Sequence, residues 1–356
     1  MERAVKAHYP EAVVTSIPVA DGGEGSVDAF LTALGGERRH AVVHGPYGEE
    51  MESFYGVVNG KTAIIEMAAC AGLPLVGDRL DPSLTTTYGV GELMLDAARR
   101  GAEHIIVALG GSATNDGGCG AAAACGIGFY DASGRQFVPT GSTLKDVARI
   151  DLSSRSPELE GITITVMCDI DNPFWGPTGA AHIFGPQKGA DSEMVALLDE
   201  GMQSLAAVIR RDTGVDVQAI AGSGAAGGMG GGMAAFFSGC LQMGIETVLD
   251  TVHFDSLLTD CDLVLTGEGK IDGQSLRGKV VIGVARRTQA YHVPTIAIVG
   301  DIADDIEGVY EMGVSAIFSI NRLAIPFVEA KKRAALDMEK TVDNLMRFIK
   351  RMDRCT

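Results

Sequence analysis

The amino-acid sequence predicts an α/β fold: a parallel sheet covered by helices, with a second domain that contains antiparallel strands. Three observations carry this. From about residue 260 onward, apolar strand-like runs alternate with helical runs, the pattern of a parallel sheet. His40–Met67 breaks that rhythm as a β-meander. Finally, the loops Asp21–Gly25, Gly110–Gly118, Asp169–Pro173 and Gly267–Asp272 are rich in glycine and acids, and each follows an apolar strand. Ligands of parallel sheets sit beyond the carboxyl ends of strands, so these loops point to a cleft lined with carboxylates and bare backbone amides.

In chain order, Met1–His8 reads as the last turns of a helix, with Pro10 soon after. Val13–Val19 reads as a short strand, and Ser26–Leu34 as a helix stopped by Gly35-Gly36. The meander strands are Ala41–Gly45, Ser53–Val58 and Thr62–Met67, with Asn59-Gly60 as a two-residue hairpin signal. Ser83–Arg100 is a helix whose Val90, Leu93, Met94 and Ala97 share a face. His104–Leu109 is a buried strand and Ala121–Cys125 a small-residue helix. Gly126–Tyr130 and Arg135–Val138 form a hairpin. Ile162–Cys168 is another strand, and Asp191–Asp212 an amphipathic helix. Then come Leu263–Thr266, Thr295–Val299 and Ala316–Ser319 as strands, with Lys279–Gln289, Asp304–Met312 and Pro326–Arg351 as helices.

Composition narrows the function classes. A chain of 356 residues, 46% hydrophobic, suits two domains or one large one. Its 46 acids against 29 bases give a formal charge of -17. That argues against a nucleic-acid or anionic-membrane surface, where a basic patch is expected. Seven scattered cysteines, an odd count without a secretory signal, fit a reducing, cytoplasmic setting with free thiols. The seven histidines show no His-x₃-His spacing, which speaks against zinc. Val217–Ile245 is uncharged but contains nine glycines, so it reads as a buried glycine-rich loop and helix rather than a membrane span.

Val107–Gly118 carries the densest chemistry. Gly110 and Gly111 remove side chains where the backbone must turn tightly. Ser112, Thr114 and Asn115 bring hydroxyl and amide groups, and Asp116 a carboxylate. Such a loop can aim N–H groups at a phosphate, and its acid can hold Mg²⁺ or accept a proton. An ordinary strand-to-helix turn fits these residues equally well at this point. Lys188, between Gln187 and Gly189, is either a phosphate contact or a solvated lysine. Gly273–Val280 nearly spells a phosphate-binding loop, but Val280 replaces the hydroxyl residue that Mg²⁺ needs. Gly222–Gly227 spells Gly-x-Gly-x-x-Gly without a good preceding strand, which makes a nicotinamide-dependent oxidoreductase the weaker alternative.

Together these segments resemble the class I glycerate kinase family. The matching pieces are Pro18-Val-Ala-Asp-Gly-Gly-Glu-Gly25, Gly45-Pro46 with Gly48, Ile65-Glu66-Met67-Ala68 and Thr87-Tyr-Gly-Val-Gly-Glu92-Leu93. They continue with Leu109-Gly-Gly-Ser-Ala-Thr-Asn-Asp-Gly-Gly118, Cys168-Asp-Ile-Asp-Asn-Pro173 and Phe184-Gly-Pro-Gln-Lys-Gly-Ala190. Gly224-Ala-Ala-Gly-Gly228 and Thr266-Gly-Glu-Gly-Lys-Ile-Asp-Gly-Gln274 complete the set. They run in order along nearly the whole chain.

The resemblance implies ATP- and Mg²⁺-dependent phosphorylation of D-glycerate, with 2-phosphoglycerate favoured over 3-phosphoglycerate as product. It implies two α/β domains: a Rossmann-like parallel-sheet domain, residues 1–38 with 260–356, and an inserted α/β domain with a mixed sheet, residues 39–259. On this basis Gly110, Gly111, Ser112, Thr114, Asn115, Lys188, Gly224, Gly227 and Gly228 are expected to take the nucleotide phosphates. Asp169 and Glu268 are expected to hold Mg²⁺, and Asp21, Gly22, Gly23 and Glu24 to take glycerate. Asp116 is expected as the base, with Asp272 as the second candidate. A homo-oligomer is compatible with the sequence. The family also opens with a strand and an Asp-Ser-Phe-Lys loop, roughly 25 residues that precede the segment matching Met1. A start codon placed too late is the favoured explanation; a truncated, catalytically impaired protein that only binds ligand is the alternative.

Overall fold

The computed structural model describes residues 1–20, 22–273, 275 and 278–353. Contacts divide the chain into two compact units, Pro18–Thr247 on the one hand and Met1–Ile17 with Val248–Thr356 on the other. Both are α/β.

The Pro18–Thr247 unit is built on a mixed sheet. β1 (Glu37–His44), β2 (Glu50–Val58) and β3 (Thr62–Glu66) are antiparallel neighbours, as the meander predicts. Asn59 and Gly60 both have positive φ, 53° and 70°, which gives the turn a twist that suits a hairpin. β4 (His104–Ala108) pairs in parallel with β3. β5 (Gly128–Tyr130) and β6 (Arg149–Asp151) form a separate antiparallel pair. β7 (Thr163–Met167) pairs in parallel with β4, and β8 (Cys240–Gln242) with β7. The sheet order is β1-β2-β3-β4-β7-β8. β3, β4 and β7 are buried beyond their first residues, which is why they read as unbroken apolar runs. β1 lies at the edge and alternates, with Glu37, Arg38 and Arg39 exposed or half-exposed.

The other unit holds β9 (Val264–Thr266), β10 (Lys270–Ile271), β11 (Thr295–Val299), β12 (Asp301–Ile302) and β13 (Val314–Ser319). β13, β11 and β9 form a parallel sheet in that order, and β10 pairs in parallel with β12. The central strand β11 is buried throughout. Val281, Ile282 and Ala285 of the Val280–Ala290 helix pack with Ala297 and Val299. Ala4, Val342, Leu345 and Met346, from the Glu2–His8 and Phe327–Met352 helices, pack with Ile296 and Ile298. The alternation of β11 thus feeds two apolar clusters.

Three expected elements change. No strand forms over Val13–Val19; Val13 is 94% exposed, and a strand without a neighbour gains no ladder bonds. The hairpin arm Arg135–Val138 is shortened to one antiparallel bridge, Gln136 to Tyr130, with Asp131 N donating to Arg135 O and Phe137 N to Phe129 O, while β5 also pairs with β6. The Asp131 carboxylate gathers the Ser133 and Arg135 amides and tightens the turn between the two arms. The helix expected from Ser83 starts at Tyr88. Thr85–Thr87 is a β-branched run, and its groups bond elsewhere: the Thr85 hydroxyl donates to Ala113 O and the Thr87 amide to Asp116.

The glycine-rich tract forms the helix Ala225–Phe237, whose Ala226, Gly227 and Gly228 are left-handed, with φ of 54°, 67° and 90°. No helix among the described residues is long and apolar enough to cross a membrane. Elsewhere glycine lets helices touch: a Cβ on Gly91 would lie 2.3 Å from Ala121 O. Gly91→Ala adds helix propensity yet should destabilise the protein by about 1–3 kcal/mol, because backbone must move. Urea unfolding measures this, and a stabilised variant would show that the two helices do not meet there.

Candidate active site

The loop after β4 is fastened along its length. Gly110 N donates to Gly22 O at 2.7 Å, and Ala113 N donates to Ala71 O at 2.8 Å. Gly111 O accepts from Leu73 N at 2.9 Å. A Cβ on Gly110 would sit 2.5 Å from Gly23 Cα, and one on Gly111 4.0 Å from Glu24 Oε1. The structure therefore brings Gly22, Gly23 and Glu24 against Gly110 and Gly111. Asp21 lies outside the described residues.

Asp116 is fully buried and anchors the loop's far end. Its Oδ2 accepts from Thr87 N at 2.8 Å, Thr87 Oγ1 at 2.9 Å and Gly120 N at 3.1 Å. Its Oδ1 accepts from Gly118 N at 3.0 Å. These donors stand at the starts of the helices Tyr88–Arg99 and Cys119–Ala124. Burial pushes the Asp116 carboxyl up from its ordinary value, and the donors pull against that shift. A base must reach the proton it takes. With both oxygens engaged inside the protein, Asp116 is placed to organise the loop rather than to touch a substrate.

Lys188 lies behind the same loop, 1% exposed. Its Nζ donates to Ser112 Oγ at 2.9 Å and to Thr114 O at 2.7 Å. It is neither a solvated lysine nor a surface phosphate contact. Burial pushes its ammonium down to about 7, opposed by the charge of Asp116. Thr114 Oγ1 and both polar atoms of the Asn115 amide are buried without a hydrogen-bond partner. Such groups cost free energy unless a ligand or ordered water meets them.

The second glycine segment is packed against the first loop. A Cβ on Gly227 would fall 2.0 Å from Thr114 O and 2.5 Å from Asn115 Cα. One on Gly228 would meet Met202, Phe174 and Gly117, and one on Gly224 would lie 2.1 Å from Pro173 O. Close approach of the chain to itself thus accounts for these glycines. Gly222–Gly227 follows the short 3₁₀ turn Val217–Ala219 rather than a strand, so it lacks the context of a dinucleotide fingerprint. Ser223, which sequence reasoning passed over, is buried with an unpartnered Oγ. Its only signal was a place inside that motif. Thr87 likewise carries no signal beyond its place in the Thr87–Leu93 segment.

Two carboxylates remain among the expected metal ligands. Asp169 Oδ1 accepts from Gly244 N at 2.6 Å, at the start of the Gly244–Thr251 helix. Glu268, in the other unit, is half-buried; burial raises its carboxyl, opposed by Ser275 and Lys279. Its Oε1 is buried without a partner. Asp272 N donates to Ser275 Oγ at 3.2 Å on the same loop. Among the described residues no cluster of three or more His, Cys, Asp or Glu is arranged to hold a metal.

Comparison with known proteins decides the family. A family model described as the glycerate kinase family matches residues 1–350. The chain belongs to the glycerate kinase family. It is 43% identical to a glycerate kinase of Bacillus subtilis over 98% of this chain and 92% of that one. It is 46% identical to a glycerate 2-kinase of Escherichia coli over 90% of this chain and 84% of that one. A solved structure from Salmonella typhimurium LT2, described as a candidate glycerate kinase 2, superposes with a TM-score of 0.88 at 41% identity, covering 99% and 93% of the two chains. As a member of the glycerate kinase family the protein is an enzyme, a phosphotransferase with an alcohol group as acceptor.

The position of Lys188 in this family fold yields a pH prediction. Its folded value, about 7, lies below the ordinary 10.5. Below pH 7 both the folded and unfolded chains hold the proton, and the burial cost is fully present. Between the two values the unfolded chain holds more protons, so stability rises with pH. Wild type should gain about 1.4 kcal/mol per pH unit over Lys188→Met across that window. Urea unfolding at several pH values checks this, and parallel curves for the two proteins would place Lys188 in contact with water.

Proposed function

We propose that the protein transfers the γ-phosphoryl group of ATP to a hydroxyl of D-glycerate, giving 2-phosphoglycerate. What carries this reading is the apposition of the Gly22–Glu24 loop with Gly110–Gly111, in a chain whose family is known over residues 1–350. Phosphoryl transfer asks for positioning and charge stabilisation more than covalent chemistry. The hydroxyls of Thr114 and Ser223 and the Asn115 amide are buried polar groups without protein partners, which suits them to oxygen-rich ligand atoms. Ser112 and Thr114 are held from behind by Lys188. Gly22, Gly23 and Glu24 take the glycerate side.

Mg²⁺ would neutralise charge on the transferring phosphate. Hard carboxylate oxygens suit it, and the unpartnered Glu268 Oε1 fits such an ion. Asp169 is the second candidate, with one oxygen already committed to Gly244 N. Asp272, only partly buried on the Glu268 loop, is the better candidate to take the hydroxyl proton. Asp116 keeps the loop in place.

These roles separate on mutation. Asp272→Asn should lower kcat at least about tenfold with unchanged thermal unfolding. Asp116→Asn should lose about 3 kcal/mol of stability along with activity, since its second oxygen becomes a donor facing N–H groups. The reverse pattern would return the base to Asp116. Phosphorus NMR of the product checks the site of transfer: coupling to one proton marks the 2-phosphate, and coupling to two protons would overturn it in favour of the 3-phosphate.

A further inference from the structure

Glu66 ends β3 and is 5% exposed, an acid at the buried end of an apolar strand. A carboxylate in that setting needs donors. Its Oε1 accepts from Val27 N at 2.6 Å, and the Gly25 amide also bonds it. Both donors stand at the start of the Ser26–Leu34 helix. That helix opens on Gly25, at φ 87°, which has no side chain to cap it. Glu66 supplies the missing cap from another strand, at the positive end of the helix. The charged groups that face it are Asp28 and Arg38. At the other end of the loop, Gly22 O accepts from Gly110 N. Gly23 and Glu24 form a turn between these two fixed points, with Gly23 O accepting from Ser26 Oγ at 2.7 Å.

We propose that Glu66 is a positioning residue for glycerate: it clamps the Gly22–Glu24 loop without touching the substrate. This rests on the assignment of that loop to glycerate. Small displacements of the groups that hold a substrate are costly. Glu66→Ala should raise KM for D-glycerate about tenfold or more while KM for ATP stays within about twofold. Glu66→Gln should recover part of the loss, because its amide oxygen still accepts one N–H. Amide exchange at Val27 should quicken in both variants.

The measurement is steady-state kinetics with each substrate varied separately, beside circular dichroism and hydrogen exchange. Equal rises in both KM values, or a lowered melting temperature with glycerate KM unchanged, would overturn the proposal. Should Glu66→Ala fail to fold, Glu66→Gln decides: faster exchange at Val27 with unchanged glycerate KM refutes positioning. Glu24→Gln separates the premise from the proposal. A normal glycerate KM there removes the loop from the substrate site and Glu66 with it. A raised one, beside normal Glu66 variants, removes Glu66 alone.

Discussion

The Pro18–Thr247 unit depends on one buried carboxylate. Asp116 collects hydrogen bonds from the first turns of two helices, and Thr87 passes the connection on by accepting from Ala121 N at 2.9 Å. Each helix start leaves amides without intrahelical partners and carries positive partial charge, so one acid satisfies both. A buried charge is tolerable only where donors surround it closely. That requirement fixes the conformation of the loop that ends at Gly118. Gly120 belongs to the same constraint, because a Cβ there would lie 2.8 Å from Asp116 Oδ2.

The abundance of glycine follows from the same crowding. Gly110 lies on Gly23, Gly91 on Ala121, Gly227 on Thr114 and Gly232 on Gly117, each at a distance no side chain could share. Read along the sequence, Gly110 and Gly227 suggest a backbone bared toward a phosphate. In the folded chain both bare it toward another stretch of the same backbone.

Much of the fold was legible because periodicity reports burial directly. The runs at Thr62–Met67, His104–Leu109 and Thr295–Val299 became strands, and Asn59-Gly60 turned as its left-handed preference requires. Asp191 caps the long helix through Met194 N. Val13–Val19 misled because an apolar run says nothing about whether a neighbouring strand exists. The loops were legible as loops, and among them the structure sets Gly22–Glu24 against Gly110–Gly111. What stayed hidden was which side of each loop a side chain occupies. Lys188 between Gln187 and Gly189 looks the same in sequence whether it points at a ligand or braces the loop from behind. Glu66 looked like the end of a strand, because its partners lie about forty residues earlier.

The arrangement resolves a difficulty set by the charge. A chain with net charge -17 must handle anionic ligands without repelling them. Around the Gly110–Gly118 loop the acid is turned inward, where amide and hydroxyl donors surround it and the Lys188 ammonium offsets its field. The groups left without partners there, on Thr114, Asn115 and Ser223, are neutral hydroxyls and an amide. Such groups donate to phosphate oxygens without adding charge of either sign. Around that loop the titratable side chains are bonded within the fold, and the side-chain atoms that lack a protein partner are uncharged.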